Sequence, residues 1–182
     1  AYQDLSASPA GIFDINSNIA WGCCPGNTTT ASDALTAYLQ ALLLTLIATW
    51  VAIPIELWPE DGSWQRKGFK NYGDERPMCK LYKALYGHPE AGGHWERLLT
   101  KSVIELGAQP IPGHKSSYWF PKYSQLLTVY VDDLLLSGPA EHQSEVWKMI
   151  RSKVDTEDPE PLDRYLGRTH KVVPLPKPTS GC

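Results

Sequence analysis

The first 65 residues contain no lysine and no arginine, although Asp4, Asp14, Asp33, Glu56, Glu60 and Asp61 lie among them. All 17 basic residues fall from Arg66 onward. A polyanion would therefore be gripped by the later part of the chain. Cysteine is also sparse: Cys23, Cys24, Cys79 and Cys182 form no C-x-x-C pair, and adjacent cysteines have poor geometry for a mutual disulfide. The set reads as reduced and intracellular rather than as a disulfide framework. Ala1-Tyr2-Gln3-Asp4 has no basic n-region, apolar h-region or initiator Met. The expectation is no signal peptide, an internal fragment of a longer chain, and a protein that is not secreted.

Charge is missing altogether from Ala34 to Ile55, which makes that run a formal candidate for a membrane span. Gln40, three threonines, Pro54 and the absence of flanking Lys or Arg argue against it. The same residues would serve a core as a strand end, a short buried helix and the strand Thr49–Ile53. What is present fits a globular chain. With 182 residues, 42% of them hydrophobic and 20% charged, it is long enough for one domain with its own core. No internal repeat is found.

The most informative stretch is Leu126-Leu127-Thr128-Val129-Tyr130-Val131-Asp132-Asp133-Leu134-Leu135-Leu136-Ser137. Two apolar runs flanking a two-residue polar break predict a β-hairpin with Asp132-Asp133 at or beside its turn. At strand period two, Leu127, Val129 and Val131 share a core face, and Thr128, Tyr130 and Asp132 share a face for polar chemistry. Adjacent carboxylates beside a core repel each other and lose hydration unless a cation compensates them. Asp-Asp is also ordinary turn chemistry, solvated and inert.

Elsewhere, Ser8-Pro9 predicts the N-cap of a helix carrying Ile12, Ile15 and Ile19 and ending near Trp21-Gly22. A turn at Cys24-Pro25-Gly26-Asn27 and the β-branched Thr28-Thr29-Thr30 predict a strand running into Asp33. The segment Arg66–Lys83 holds six basic residues, either a solvated surface or a set of phosphate contacts. Trp95, Leu98, Leu99, Ser102 and Leu106 predict a helix stopped by Gly107. Val146, Met149, Ile150 and Val154 predict another. Leu162 to His170 reads as strand or turn, and the tail 171–182 is rich in proline. His88-Pro89-Glu90 matches half of a zinc-deaminase signature, but no P-C-x-x-C follows. His94, His114, His142 and His170 have no ligand spacing with one another.

One aspartate ending a strand and two on a later hairpin are the minimum equipment for two-metal phosphoryl transfer, which needs carboxylates from separate, rigid elements. Tyr130-Val131-Asp132-Asp133 followed by Leu-Leu-Leu-Ser-Gly is similar to polymerase motif C of Ty1/copia-type retrotransposon reverse transcriptases. Asp33-Ala34-Leu35-Thr36-Ala37-Tyr38-Leu39 resembles motif A, and Cys79 to Gly87 with Trp95 resembles the block around motif B. Thr49-Trp50-Val51 and Tyr165-Leu166-Gly167, the latter near the family's primer-gripping segment, also resemble it. The likeness spans about residues 2–170, and three motifs in order are specific.

The resemblance implies an α+β domain: a palm-like antiparallel sheet with helices packed on one face, fingers incomplete and thumb absent. It places the palm with a remnant of fingers in residues 1–170. It implies RNA-directed DNA polymerase activity with two Mg2+ or Mn2+ ions, an RNA template, a DNA primer and deoxynucleoside triphosphates. The protein would be a piece of a polyprotein serving a transposable element and its DNA integration, in a cytoplasmic particle or the nucleus, with no membrane. Asp33, Asp132 and Asp133 would be the catalytic, metal-binding carboxylates. Tyr38, Tyr130 and Glu90 would lie at the nucleotide, Tyr38 as steric gate or else as a core tyrosine. Arg66, Lys67, Lys70, Lys80 and Lys83 would contact nucleic acid, and Lys148 and Lys153 are the candidate proton donors. The family's usual Gln-Ala/Ser-Pro is replaced by Glu90-Ala91-Gly92, and a carboxylate there repels a triphosphate unless metal-bound or protonated. The alternatives are an inactive palm remnant that binds nucleic acid or has no activity, and a small protein anchored by a span near 34–55.

Overall fold

The computed structural model describes residues 7–70, 73–171 and 173. In chain order the helices and strands are α1 (Ile12–Gly22), β1 (Asn27–Asp33), α2 (Ala37–Gln40), β2 (Trp50–Ala52), α3 (Ser63–Arg66), β3 (Met78–Lys80), α4 (Ala91–Glu105), β4 (Gln109–Pro110), β5 (Ser117–Phe120), β6 (Gln125–Tyr130), β7 (Asp133–Pro139), α5 (Ala140–Arg151), β8 (Glu160–Pro161), β9 (Arg164–Tyr165) and β10 (Arg168–Thr169). They form two compact units, one built on Thr36–Lys101 and the other on Pro9–Leu35 with the chain from Ser102 onward.

The second unit is an antiparallel six-stranded sheet in the order β4-β5-β6-β7-β1-β8. Its centre is β7, whose Leu134, Leu135 and Leu136 are all fully buried. Three consecutive buried leucines require cover on both faces, since successive side chains point opposite ways. Leu135 packs with Ile15 of α1. Thr30, opposite Leu136 and so on the other face, accepts a 2.7 Å hydrogen bond at its Oγ1 from Trp147 Nε1 of α5. Helices therefore cover both faces, which corrects the expectation of one helical face. The polar face expected on β6 is corrected in the same way. Thr128 is buried, with its Oγ1 3.2 Å from Asn18 Nδ2, and only Tyr130 at the strand end is exposed.

The α1 helix begins three residues later than Ser8-Pro9 suggested. Ala10 N–H is tied to Val129 O at 2.9 Å, and the carboxylate of Asp14 accepts from Gly11 N–H at 3.1 Å. At the other end of the helix, a Cβ on Gly22 would collide with Thr29 Oγ1 and come 3.0 Å from Ser137 Oγ, two hydroxyls already hydrogen-bonded at 2.7 Å. Gly22→Ala breaks that bond or pushes α1 off the sheet, so it should lower stability by about 2 kcal/mol, read as a shift of the urea midpoint.

The first unit is smaller. Its core cluster is Ala41, Leu43, Ala84 and Ala91, with Tyr38, Leu81 and Leu98 packed against it. A two-stranded antiparallel ribbon pairs Trp50 with Lys80, Val51 with Cys79 and Ala52 with Met78. The uncharged run supplies only part of itself to the core, through Ala37, Ala41 and Leu43. Among the described residues no helix is long and apolar enough to cross a membrane. The chain at 41–44 is extended, with Leu43 N–H bonded to Tyr82 O. Alternation buries Ala41 and Leu43 but leaves Leu42 and Leu44 exposed, and Leu46 and Ile47 lie on the surface as well. The proline-rich tail lies outside the described residues, save Lys171 and Val173.

Candidate active site

The register of the central sheet brings two of the predicted aspartates together. Asp33, the last residue of β1, lies directly opposite Asp133, the first of β7, and Asp133 lies opposite Tyr130 on its other side. Cross-strand partners project from the same face, so Tyr130, Asp133 and Asp33 form one rung across three strands. This is also the face that carries Leu135 and α1, because Asp133 and Leu135 are two residues apart. Asp132 is in the two-residue connection between β6 and β7, and its carbonyl accepts from Ala34 N–H at 2.8 Å. That bond ties the turn to the residue following Asp33. The neighbouring Val131 adopts a left-handed φ of 59°, a conformation that costs a β-branched residue about 1–3 kcal/mol. The strained tight turn keeps Asp132 and Asp133 at the sheet end.

Burial raises the pKa of Asp133 from 3.8 to about 6, helped by a hydrogen bond with Asp33 and by the charges of Asp33 and Asp132. Two carboxyls sharing one proton is what close like charges do when nothing neutralises them. No ion pair among the described residues involves any of the three aspartates. Also among the described residues, no three His, Cys, Asp or Glu side chains converge as a ready metal-binding group. The structure thus presents a pair with a third carboxylate close enough to be felt. These hard oxygen donors, short of positive charge, fit a divalent cation such as Mg2+.

The rung is buttressed by a tyrosine that the sequence marked only as part of Tyr165-Leu166-Gly167. Buried Tyr165 donates from its hydroxyl to the backbone oxygen of Asp133 at 3.3 Å. Burial, then the charges of Asp133, Asp33 and Tyr130, pushes its phenol up, so it stays neutral and keeps that proton. Tyr165 and Tyr130 face a cavity of about 690 Å3 walled by Ile12, Ile15 and Ile19, with Arg168 and His170 on its lining. Arg168 carried no motif and His170 was weighed only for metal-ligand spacing; their place beside the cavity depends on the β9–β10 hairpin.

The other predicted residues belong to the first unit, to the surface of α5 or to the turn that follows it. Tyr38 is half-buried on α2 and contacts Tyr86, ring centroids 4.5 Å apart. Arg66, Lys67, Lys70, Lys80 and Lys83 are all exposed. Arg66 donates to Asp61 O at 2.7 Å, Lys70 pairs with Glu75 at 2.8 Å, and Lys83 donates to Gln40 O at 3.1 Å. Lys153 pairs with Glu105 at 2.9 Å, and Lys148 is exposed on α5. Glu90 lies just before α4, its carboxylate 3.6 Å from Nε2 of the buried His94.

That Nε2 has no hydrogen-bond partner among the described residues, and burial, aided by Arg97, lowers the His94 pKa from 6.5 against the opposing pull of Glu90. The unfolded chain thus takes up the proton before the folded one does. Stability should be complete above about pH 6.5 and fall as the pH drops. Urea titrations at pH 7.5 and 5 check this, with His94→Gln shrinking the difference.

A family model for reverse transcriptase (RNA-dependent DNA polymerase) matches residues 63–172, more than half of the chain. No curated protein and no solved structure matches it. The matched stretch contains the hairpin with Asp132 and Asp133, Glu90 and Tyr165, but not Asp33 or Tyr38. Strand register, the Ala34 N–H bond to Asp132 O and the hydrogen bond of Asp33 with Asp133 link Asp33 to the matched hairpin. The chain belongs to the reverse transcriptase (RNA-dependent DNA polymerase) family, of the Ty1/copia type.

Proposed function

We propose that Asp33, Asp132 and Asp133 hold two Mg2+ or Mn2+ ions, and that the sheet acts as the palm of a polymerase extending a DNA primer on an RNA template. The observation that carries this is the Asp33–Asp133 rung beside the Val131-Asp132 turn, with the raised pKa of Asp133 and no ion pair to the three aspartates among the described residues. When bound, the ions would lower the pKa of the attacking hydroxyl and neutralise the leaving pyrophosphate. The chain's own contributions are distinct. Asp133 is a carboxylate held at a cost by burial and by its carboxylate neighbours, a cost relieved when positive charge arrives; Tyr165 anchors the Asp133 backbone from behind, and the strained turn fixes the spacing of Asp132.

Tyr38 serves as the gate against a 2′-hydroxyl, with Tyr130 and Glu90 at the nucleotide. Arg66, Lys67, Lys70, Lys80 and Lys83 contact phosphates. In this reading residues 1–170 work inside the cell as a palm with a remnant of fingers. The rest of a polyprotein would supply the remaining fingers, thumb and RNase H.

The test is Mg2+- or Mn2+-dependent extension of a DNA primer on an RNA template by the chain, together with Mn2+ binding. Extension that needs the metal supports the full reading. Metal binding without extension reduces it to an incomplete palm. Absence of both returns the aspartates to plain turn chemistry.

A further inference from the structure

The β2–β3 ribbon presents an unusual face. Trp50 and Lys80 are cross-strand partners, as are Ala52 and Met78, so all four project from one side. Leu81 N–H donates to Thr49 O at 2.9 Å, which carries the ladder one step past β3. Tyr82 then falls on the same side, with Lys80 Nζ 5.4 Å from its ring centroid. The two rings are open to solvent, Trp50 at 56% and Tyr82 at 69% exposure. The ribbon's charge has one sign. No acidic residue occurs from Arg76 to Pro89, where Arg76, Lys80 and Lys83 lie, and no charge at all occurs from Ala34 to Ile55.

Two exposed aromatic planes flanking a lysine suit unpaired nucleotides. The bases have π-faces to stack on the rings, and the phosphates between them meet the cation. A base-paired duplex offers only its phosphates to such a face, since its bases are already stacked. A protein partner would gain from the apolar surface but would not call for the uniformly positive charge.

We propose that Trp50 and Tyr82 form a stacking platform for unpaired nucleotides of the template, with Lys80 taking the intervening phosphate. This rests on the reading of the chain as a nucleic-acid polymerase. It goes further by assigning the single-stranded part of the substrate to named rings in a segment that otherwise offers only phosphate contacts.

The test measures, by fluorescence anisotropy at fixed salt, the affinity of the full chain for a 12-nucleotide unstructured RNA and for a blunt RNA–DNA duplex. Trp50→Ala with Tyr82→Ala should weaken single-strand binding ten-fold or more and leave the duplex within two-fold. Trp50→Phe should retain most of the affinity. Lys80→Gln should weaken both ligands and flatten the salt dependence. Thermal melting checks that the variants stay folded, as expected for exposed side chains. Equal loss on both ligands, no loss on the single strand, or no single-strand binding by the parent would overturn the platform. If primer extension fails while the ring-dependent single-strand binding persists, the catalytic reading falls and the platform stands.

Discussion

Asp133→Asn is expected to lower metal-dependent primer extension by about 10^2- to 10^3-fold, the cost of removing one preorganised charge from a reacting centre. Asp33→Asn should act similarly, because the two carboxyls share one rung and one hydrogen bond. Asp132→Asn removes a charge from the turn without removing the pair, so residual Mn2+ binding should survive in that variant alone. Titration of Mn2+ against all three variants checks this order. Identical metal affinity in the parent and Asp133→Asn would remove the rung from the catalytic centre.

The same substitution should act on stability in the opposite direction. The folded-state pKa of Asp133 is raised from 3.8 to about 6. The folded protein therefore holds its proton after the unfolded chain has lost it. The resulting stabilisation is full below about pH 3.8 and is lost as the pH rises through 6. Without divalent cations, Asp133→Asn should be more stable than the parent at pH 8 by about 1 kcal/mol, a figure discounted because the side chain is half-buried and screened. Adding Mn2+ should reverse the ranking, since the ion binds the parent's folded state and stabilises it by mass action. Melting curves at pH 8, with and without Mn2+, show whether the ranking inverts.

The second large effect is on packing. Leu135→Ala should cost about 3–4 kcal/mol, or about 10 °C in melting temperature. Leu135 has no solvent exposure and packs in one cluster with Ala10, Ile15 and Tyr165. Removing it leaves a void between α1 and the sheet and loosens the tyrosine that anchors the Asp133 backbone. Leu134→Ala empties the α5 face instead, with similar thermal loss but no direct route to the rung. A comparison of Mn2+ affinity in the two variants separates the packing contribution from the positioning one.

Local chemistry in the sequence was enough to determine several elements. The run of threonines, the paired apolar stretches around Asp132-Asp133 and the spacing of Ile12, Ile15 and Ile19 each reflect the period of one strand or helix, and β1, the β6–β7 hairpin and the end of α1 lie where those periods put them. Three motifs in order also identified the family. Tertiary structure decided what lies outside any single period. Leu134-Leu135-Leu136 is buried on both sides because α1 and α5 come from distant parts of the chain. Leu42 and Leu44 surface while Ala41 and Leu43 are buried because the small core of their unit accepts only alternate residues there. The rung of Asp33 with Asp133 joins residues a hundred positions apart, and Tyr165 reaches its carbonyl from a hairpin later still. Periodicity assigns a side chain to a face, whereas strand register and the cover on each face settle which carboxylates meet and which tyrosine stands behind them.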